Sequence, residues 1–403
     1  MKKNLLISAL IFIFLSACHS QSVNNTTISN ESHSSQRMTI TDSQDHLKIE
    51  VEGDISFNET ETAIQHISEN GIVRYKKDNK KFTAKNDGSG NISYEIYAGT
   101  KQFGPDSEIG KSILQDAIST MILHGIDIKG HAFRIYKKGG VSALVQETNQ
   151  FKSDYQKSSW ISVVLKQYTL STAEKNNLLL LTTNIESDYE KAGVLGKFGD
   201  QFLSDASSVS TYLLVVKSIG SDYEKAGVIK SLLQKKSISE NHIAECLSII
   251  SSIGSDYEKA GVLEQILSTQ NISENDFDAT LKVVQTIGSD YEKAGILEKL
   301  LQAQNIPSEN FNKLLSVVNS IGSDYEKKNV LEEIIEKASY TKEQWIAIIQ
   351  ISSKISSDYE KADALRSIAE KIPADAAIKN SFLEAAKTIS SDHEYRSVMQ
   401  SIE

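Results

Sequence analysis

The sequence predicts an α+β fold: a small antiparallel β domain with a covering helix, then an all-α right-handed solenoid of about eight two-helix repeats. A fixed period of this kind is typical of stacked repeats in which each unit contacts only its neighbours. The β domain is predicted from alternating apolar and polar residues ahead of the repeats. The solenoid is predicted from eight aspartates at constant 34-residue intervals: Asp154, Asp188, Asp222, Asp256, Asp290, Asp324, Asp358 and Asp392.

Apolar residues recur at four fixed offsets from each Asp, and these offsets predict two helices per repeat. The positions nine and three residues before the Asp, and seven and ten after it, carry Ile, Leu, Val, Phe or Met in every unit. Offsets of three to four residues mark one face of a helix on each side of the Asp. Helix A should therefore precede the Asp and helix B should follow it, both burying these columns.

The phrase around the Asp reads Ile-Gly-Ser-Asp-Tyr-Glu-Lys-Ala-Gly at 253–261 and again at 287–295. Gly254 stands where a left-handed C-cap would end helix A, as do Gly288 and Gly322. Ser255 and Glu258 match a capping box at the start of helix B. The Asp lies in the first turn, where a negative charge meets the positive end of the helix dipole. The motif is therefore interpreted first as a capped corner, each cap contributing roughly 0.5–2 kcal/mol.

A tyrosine follows the Asp in seven repeats, and two interpretations of this column stay open. In the favoured one the ring packs at the seam between repeats and its hydroxyl bonds a neighbouring carbonyl. In the other, stacked Tyr, Asp and Lys side chains form a ladder, spaced by the roughly 8–10 Å of helix packing, that grips an extended ligand. The candidate binding residues of this ladder are Tyr189, Asp222, Tyr223, Asp256, Tyr257, Asp290, Tyr291 and Tyr325.

Small residues stand five positions after the Asp, including four glycines within the predicted helix B. Glycine inside a helix costs about 1 kcal/mol relative to alanine, so this column needs a reason. It indicates either a close approach of two backbones or partial solvation. The glycines are Gly193, Gly227, Gly261 and Gly295.

The N-terminus carries charge, an apolar run and small residues before a cysteine, in that order. Lys2 and Lys3 precede the apolar run of residues 5–15, which is too short to span a membrane. Leu-Ser-Ala-Cys at 15–18 closely resembles the lipobox of bacterial lipoprotein precursors. The resemblance implies that residues 1–18 are a signal peptide and lipobox, and that Cys18 is lipidated, with palmitate among its acyl groups. Because His19 rather than Asp follows, it implies the bacterial cell envelope, at the periplasmic face of the outer membrane in a two-membrane organism.

Three segments follow the lipobox. Residues 19–43 are rich in Ser, Asn, Thr and Gln, and we expect a disordered tether. Residues 44–140 are predicted to form the β domain, with strands near 47–52, 71–77, 80–85 and 91–98 and helices at about 107–123 and 128–138. Residues 141–403 are predicted to form the solenoid.

The sequence offers little chemistry for catalysis. The eight histidines are scattered without metal-ligand spacing, and no nucleophile motif appears. Cys246 is expected to be a buried free thiol. A net charge of −10 argues against nucleic acid and against membrane contact other than through the lipid anchor. We therefore predict a protein that is not an enzyme, with no catalytic residues, metal or cofactor.

Two family resemblances appear once the repeat is read. The 34-residue period resembles tetratricopeptide repeats, although Glu264 and Glu298 stand where that family has an aromatic residue. The order of a β domain, Lys-Lys-Gly-Gly at 137–140 and Ser-Asp-Tyr units is similar to an uncharacterised extracytoplasmic region of some membrane metallopeptidases of the β-lactam-sensor type. That resemblance implies a signalling or scaffold role. The chain lacks His-Glu-x-x-His, so proteolytic activity is not implied.

These observations predict a lipid-anchored envelope protein whose helical-repeat surface binds an envelope protein or peptide. A carbohydrate or peptidoglycan binder that uses the Tyr and Asp ladder is the second hypothesis. A structural spacer without a specific ligand is the third. Exposure of the tyrosines discriminates among them, because buried rings favour a structural role and exposed rings favour ligand capture.

Overall fold

The computed structural model describes residues 21–23, 26–31, 37–43, 45–235, 240–270, 272–303, 305–337 and 340–402. It confirms the predicted fold class, an antiparallel sheet followed by a repeated arrangement of helices. The signal peptide and Cys18 lie outside the described residues. The chain divides into two compact units between Leu170 and Ser171, one repeat later than the predicted boundary. The first repeat groups with the β domain because the buried Trp160 packs on His131 and Phe151 and donates its Nε1–H to the Leu144 carbonyl.

The first unit contains an eight-stranded antiparallel sheet and a separate two-stranded hairpin. The hairpin pairs β5 (Ile55–Phe57) with β6 (Ile64–Ile67). The strands of the sheet, in spatial order, are β1 (Gln21–Val23), β2 (Thr26–Glu31), β3 (Arg37–Asp42), β4 (Leu47–Glu52), β7 (Ile72–Lys77), β8 (Lys80–Asn86), β9 (Ile92–Ala98) and β10 (Lys101–Phe103).

The prediction of a tether over 19–43 is wrong where the chain forms β1, β2 and β3. Strand β3 pairs with β4 in a register that sets Ile40 opposite Ile49, and both side chains are fully buried. Met38 and Ile40 alternate with threonines, so one face of the strand is apolar. The β-branched threonines favour extended backbone although their polarity had indicated disorder.

Helix α1 (Glu108–Leu123) covers the sheet, as predicted for 107–123. Its buried face joins the strand residues in one core, with Ile113, Ala117 and Ile118 packed in the same cluster as Ile49 and Phe82. Helix α2 (Ile128–Glu147) follows and is broken at Gly139 and Gly140. Gly140 has φ of 62°, which a residue with a side chain rarely adopts, so the predicted helix end at this Gly-Gly pair is confirmed.

Every B helix begins at one of the eight aspartates. The B helices are α3 (Asp154–Gln167), α5 (Asp188–Phe202), α7 (Asp222–Lys235), α9 (Asp256–Thr269), α11 (Asp290–Ala303), α13 (Asp324–Lys337), α15 (Asp358–Ala369) and α17 (Asp392–Ser401). The A helices of the second unit are α4 (Thr172–Leu181), α6 (Val209–Lys217), α8 (Glu240–Ser251), α10 (Glu274–Gln285), α12 (Phe311–Asn319), α14 (Lys342–Ser352) and α16 (Ala376–Ala386).

The four predicted apolar columns form the core of the solenoid. In the repeat of Asp256, the column residues Leu247, Ile253, Leu263 and Ile266 are each at most 2% exposed. The same columns are buried in the neighbouring repeats, which confirms the predicted helix faces. Burial of an aliphatic side chain stabilises a fold by roughly 1.5–3 kcal/mol, so these columns supply most of the stacking free energy.

Six of the eight Asp carboxylates bind the backbone of the next repeat. Asp222 accepts hydrogen bonds from the backbone N–H of Gly254 at 3.0 Å and of Ser255 at 2.9 Å. Six consecutive repeats share this geometry, with N···O distances of 2.7–3.1 Å, from Asp188, Asp222, Asp256, Asp290, Asp324 and Asp358. Charged acceptors make stronger hydrogen bonds than neutral ones. We call this contact the aspartate clamp.

The aspartate clamp replaces half of the predicted capping box. Ser255 Oγ accepts from the Glu258 backbone N–H at 3.3 Å, but the Ser255 N–H donates to Asp222 and not to the Glu258 side chain. The same half-cap begins α15 and α17. A complete reciprocal box forms in the first unit, between Ser153 and Gln156. The glutamates after the clamp are therefore released from capping.

The predicted left-handed cap at the motif glycines is also wrong. Gly254, Gly288 and Gly322 do not have positive φ values. A side chain at Gly254 would place its Cβ 3.2 Å from Asp222 Oδ2, closer than an ordinary contact. Glycine thus gives the carboxylate room to reach the backbone. Serine occupies the equivalent position at Ser356 and still donates to Asp324, at 3.1 Å.

The lysine three residues after each clamp Asp makes a second contact between repeats. Lys259 is 4% exposed, and its Nζ donates to the carbonyl of Thr286 at 3.3 Å and to its Oγ1 at 3.0 Å. Thr286 caps the C-terminus of α10, where the helix dipole favours a positive charge. Lys191 and Lys361 likewise reach carbonyls at the ends of the next A helices.

Replacing Asp222 with Ala should lower the free energy of unfolding by about 1–2 kcal/mol, because two backbone N–H groups lose a charged acceptor. Tyr223→Ala is the matched control on the adjacent residue. Tyr223 is 72% exposed, so its removal should cost less than about 0.5 kcal/mol. Urea unfolding of the full chain followed by circular dichroism measures both. Equal urea midpoints for wild type and Asp222→Ala would show that the clamp does not contribute to the stability of the solenoid.

Candidate functional site

The motif tyrosines of the second unit are exposed, so the favoured prediction that they pack at the seam is wrong. The exposed fractions are 66% for Tyr189, 72% for Tyr223, 71% for Tyr257, 71% for Tyr291, 56% for Tyr325 and 60% for Tyr359. The physical reason lies in the helix period. The buried positions of helix B fall four, six, seven and ten residues after the Asp, and the Tyr one residue after it projects away from them.

The tyrosines lie on one surface of the B helices, which we call the tyrosine face. It consists of the residues one, two, five, eight and nine positions after each clamp Asp in α5 to α15. Positions one, five and eight of a helix lie above one another because they are separated by three or four residues. In α9 they are Tyr257, Gly261 and Glu264. A row of aromatic rings therefore alternates with small and acidic side chains.

Three glycines of the column lie in open space on the tyrosine face, whereas a Cβ at Gly261 would lie 2.7 Å from Lys230 Nζ. A Cβ built at Gly193, Gly227 or Gly295 meets no atom within 4 Å. A close approach of two backbones is therefore excluded at these three positions, which leaves partial solvation as the explanation of the small residues. Between α9 and α11 the surface forms a depression of 440 Å³. Polar and apolar residues both line it: Gly261, Glu264, Gln265, Leu267 and Ser268 on α9, and Lys299, Gln302 and Ala303 on α11.

The predicted ladder separates into two sets of residues with different surroundings. The carboxylates of Asp222, Asp256 and Asp290 accept the clamp hydrogen bonds, and the motif lysines are buried between repeats. The candidate tyrosines Tyr189, Tyr223, Tyr257, Tyr291 and Tyr325 point to solvent. Of the predicted ladder, the tyrosines are thus the side chains exposed to solvent.

Sequence reasoning missed a set of glutamates on the tyrosine face. The residue eight positions after one Asp lies beside the residue two positions after the next Asp. Near each end of the row these positions form ion pairs, Lys230 Nζ to Glu258 Oε2 and Arg366 Nη1 to Glu394 Oε2, both at 3.2 Å. In the middle of the row both positions are acidic, as Glu264 with Glu292 and Glu298 with Glu326. A comparison of these two columns across the repeats would have revealed the facing acidic positions from the sequence alone.

The central glutamates repel one another. Burial raises the pKa of Glu292, and the charges of Glu264 and Asp256 raise it further. Burial likewise raises the pKa of Glu298, with added repulsion from Glu326 and Glu333. Within the described ranges, no Lys or Arg nitrogen lies within 4.0 Å of the carboxylates of Glu292, Glu298 or Glu326.

A second group of charged residues is buried in the first unit. His131 is 4% exposed, with Nδ1 2.6 Å from Glu61 Oε1 and Nε2 3.3 Å from Glu147 Oε1. Arg134 donates to Glu61 at 2.7 Å and to Asp127 at 2.9 Å. Burial raises the pKa of Glu61, but hydrogen bonds from His131 and Arg134 outweigh it and lower that pKa to about 2. These groups satisfy one another, so the cluster ties the β5–β6 hairpin to α2 as a structural lock.

Other features of the described chain carry little chemistry. Cys246 is fully buried, and burial raises its pKa to about 12, so the thiol stays protonated at neutral pH. Across the described ranges, no three His, Cys, Asp or Glu side chains are arranged to hold a metal ion. In the same ranges, no helix has the length and apolar character needed to cross a bilayer.

Comparisons with known proteins add no argument about function. No family model matches the sequence. No curated protein matches it either. A solved structure described as "Computational Design of Self-Assembling Cyclic Protein Homooligomers" is similar at 11% identity, covering 70% of this chain and 93% of that chain, with a TM-score of 0.13. A TM-score this low does not establish a shared fold.

Replacing Glu292 with Gln should stabilise the protein at pH 7 by a few tenths of a kcal/mol, an effect kept small by solvent screening. The raised pKa of Glu292 means that its ionised form is the unfavourable one. The gain should therefore vanish as the pH falls below the ordinary value of 4.5, where the group is protonated in both states. Urea midpoints at pH 7 and pH 4 measure this.

The matched control is Glu258→Gln, at the same position of the preceding repeat. Glu258 pairs with Lys230, so its neutralisation should leave stability unchanged or lower it at pH 7. An equal response of the two variants at pH 7 would contradict the repulsion assigned to Glu292.

Proposed function

We propose that the protein is a lipid-anchored, non-catalytic scaffold of the bacterial cell envelope that binds an envelope protein or peptide on the tyrosine face. The observation that carries this proposal is the row of six tyrosines, each more than half exposed. Contiguous exposed apolar surface on a soluble domain marks an interaction site more often than an accident of folding. Tyrosine also suits interfaces, since its ring supplies contact area and its hydroxyl a hydrogen bond.

An extended partner fits the repeat spacing. Adjacent packed helices lie roughly 8–10 Å apart, and an extended chain rises about 3.3 Å per residue. One repeat therefore corresponds to about three residues of an extended peptide. Each repeat offers only a weak contact, but contacts along a linked partner add in free energy.

The envelope location is supported by the N-terminal sequence. Charge, apolar run and Leu-Ser-Ala-Cys at 15–18 resemble lipoprotein precursors, which makes Cys18 the anchoring residue. The similarity of the repeat region to an extracytoplasmic part of membrane metallopeptidases of the β-lactam-sensor type supports the same side of the membrane. It also favours a signalling or scaffold role over catalysis.

A carbohydrate or peptidoglycan binder is the second candidate, because exposed aromatic rings also stack on sugar rings. The carboxylates beside the tyrosines would then accept hydrogen bonds from hydroxyl groups. A spacer without a ligand is disfavoured. The clamp and the buried lysines already join the repeats, and the tyrosine rings project away from those contacts.

A photocrosslinking amino acid at position 257 should capture the partner in envelopes of the source bacterium. The control position is Leu214 on α6, which is 56% exposed but lies on an A helix. We expect a discrete crosslinked protein from position 257 that is lost when Tyr223 and Tyr291 are replaced by Ala. Identical crosslinked proteins from positions 257 and 214 would show that the tyrosine face is not the binding site. Crosslinks to glycan alone would support the second candidate.

Replacing Cys18 with Ser should abolish incorporation of labelled palmitate and move the protein from the membrane to the soluble fraction. The lipid is expected on Cys18 because the lipobox places it there. The chain has two cysteines, so Cys246→Ser is the matched control and should keep both label and location. Label retained in the Cys18→Ser protein would overturn the anchor.

A further inference from the structure

We propose that the tyrosine face binds an extended peptide rich in lysine or arginine, with cationic side chains inserted between the facing glutamates of its central repeats. This inference rests on the proposed function and names the chemistry of the partner. The facing pairs are Glu264 with Glu292, Glu298 with Glu326, and Glu332 with Glu360, of which Glu332 is paired with Lys328 of its own helix. The tyrosines beside them are Tyr257, Tyr291 and Tyr325.

The flanking repeats show what these positions accommodate. Where the same two columns hold opposite charges, Lys230 lies 3.2 Å from Glu258 and Arg366 lies 3.2 Å from Glu394. The backbone geometry repeats, so a cation between the columns is a normal occupant. In the middle of the row the chain supplies a second carboxylate instead. Lys299 pairs with Glu264 at 2.5 Å, but within the described ranges no lysine or arginine pairs with Glu292, Glu298 or Glu326, and the cation beside these three is left to a partner.

The edge of the tyrosine face shows an example of the expected contact, made by a largely buried lysine of this chain. Lys328 Nζ lies 5.5 Å from the centroid of the Tyr325 ring and 3.2 Å from Glu332 Oε2. An ammonium group above an aromatic ring beside a carboxylate gains both cation–π and ionic attraction. A lysine or arginine of a partner would find the equivalent ring and carboxylate at Tyr291 and Glu298, one repeat earlier. A neutral or acidic peptide would leave the facing carboxylates uncompensated.

Electrostatics outside the pairs point in the same direction. The net charge of −10 attracts a cationic segment over a distance. The spacing of about three peptide residues per repeat predicts that a cation at every third position matches the facing pairs. A metal ion is a poorer match, since within the described residues no cluster of three ligating side chains forms.

The test uses the purified full-length lipoprotein in detergent and fluorescent peptides of about eighteen residues. The probe is a repeated Lys-Ser-Ser peptide; the comparisons replace Lys by Gln or by Glu, and a fourth peptide gathers all lysines at one end. We expect the Lys-Ser-Ser peptide to bind most tightly and to weaken with added salt. The double variant Glu292→Gln/Glu298→Gln should weaken it by at least about tenfold, because two charge contacts are lost.

The charge-matched control is Glu245→Gln/Glu384→Gln, on the A helices α8 and α16, which should bind like wild type. A Tyr257→Ala/Tyr291→Ala variant tests the face itself. If Gln and Glu peptides bind as tightly as the Lys peptide and still require the tyrosines, the proposed function stands and the cationic inference falls. If no peptide binds and the crosslink at position 257 also fails, both fall. If the control variant loses as much affinity for the Lys peptide as Glu292→Gln/Glu298→Gln does, the inference falls, because the loss is then explained by net charge alone.

One further result would contradict the peptide as the occupant but retain the facing carboxylates as the binding groups. If calcium alone occupies the facing pairs, it will raise the melting temperature of wild type and not of Glu292→Gln/Glu298→Gln, and no peptide will bind. We expect instead that calcium shifts the melting temperatures of wild type and of the double variant by the same amount.

Discussion

The aspartate clamp is the contact on which the rest of the solenoid depends. A carboxylate at the first residue of helix B holds the two backbone N–H groups that begin the next corner, as Asp222 holds Gly254 and Ser255. It satisfies donors that a helix N-terminus otherwise leaves without partners. Because the acceptor comes from the preceding repeat, each corner is fixed by its neighbour. Local capping and stacking between repeats thereby become a single interaction.

The clamp also decides which side chains remain for function. Once the preceding Asp binds the Ser255 N–H, the capping box no longer needs the Glu258 side chain. The Lys of the motif is drawn into the interface, where Lys259 binds the end of α10. The Tyr and Glu between these two anchored residues lie on the outer side of the helix. Motif residues close in sequence thus divide into a structural pair, the Asp and the Lys, and an outward-facing pair, an exposed Tyr and a partly buried Glu.

The sequence predicted the period, the apolar columns and the start of each B helix, because those depend on local spacing. It could not predict the partner of Asp222, which lies more than thirty residues away in the chain, so a complete capping box was the natural local solution. The prediction that Tyr257 packs at the seam was wrong for the same reason. The next repeat determines which face of a helix is covered, and that contact is not local in the sequence. Strand β3 was missed because Thr39 and Thr41 were counted as polar residues, whereas Ile40 between them anchors the strand.

The glutamates of the central repeats are the place where local and global requirements disagree. Flanking repeats fill the same two columns with Lys230 or Arg366 against Glu, so a stabilising solution is available to this fold. Facing carboxylates at Glu298 and Glu326 forgo it, and burial together with the charge of Glu326 raises the pKa of Glu298. Departures of this kind in an otherwise consistent structure are expected where a protein functions rather than where it folds. On the proposed function, a cationic partner would restore the stability given up there, so that these repeats would respond to the partner while the clamped repeats around them support the surface.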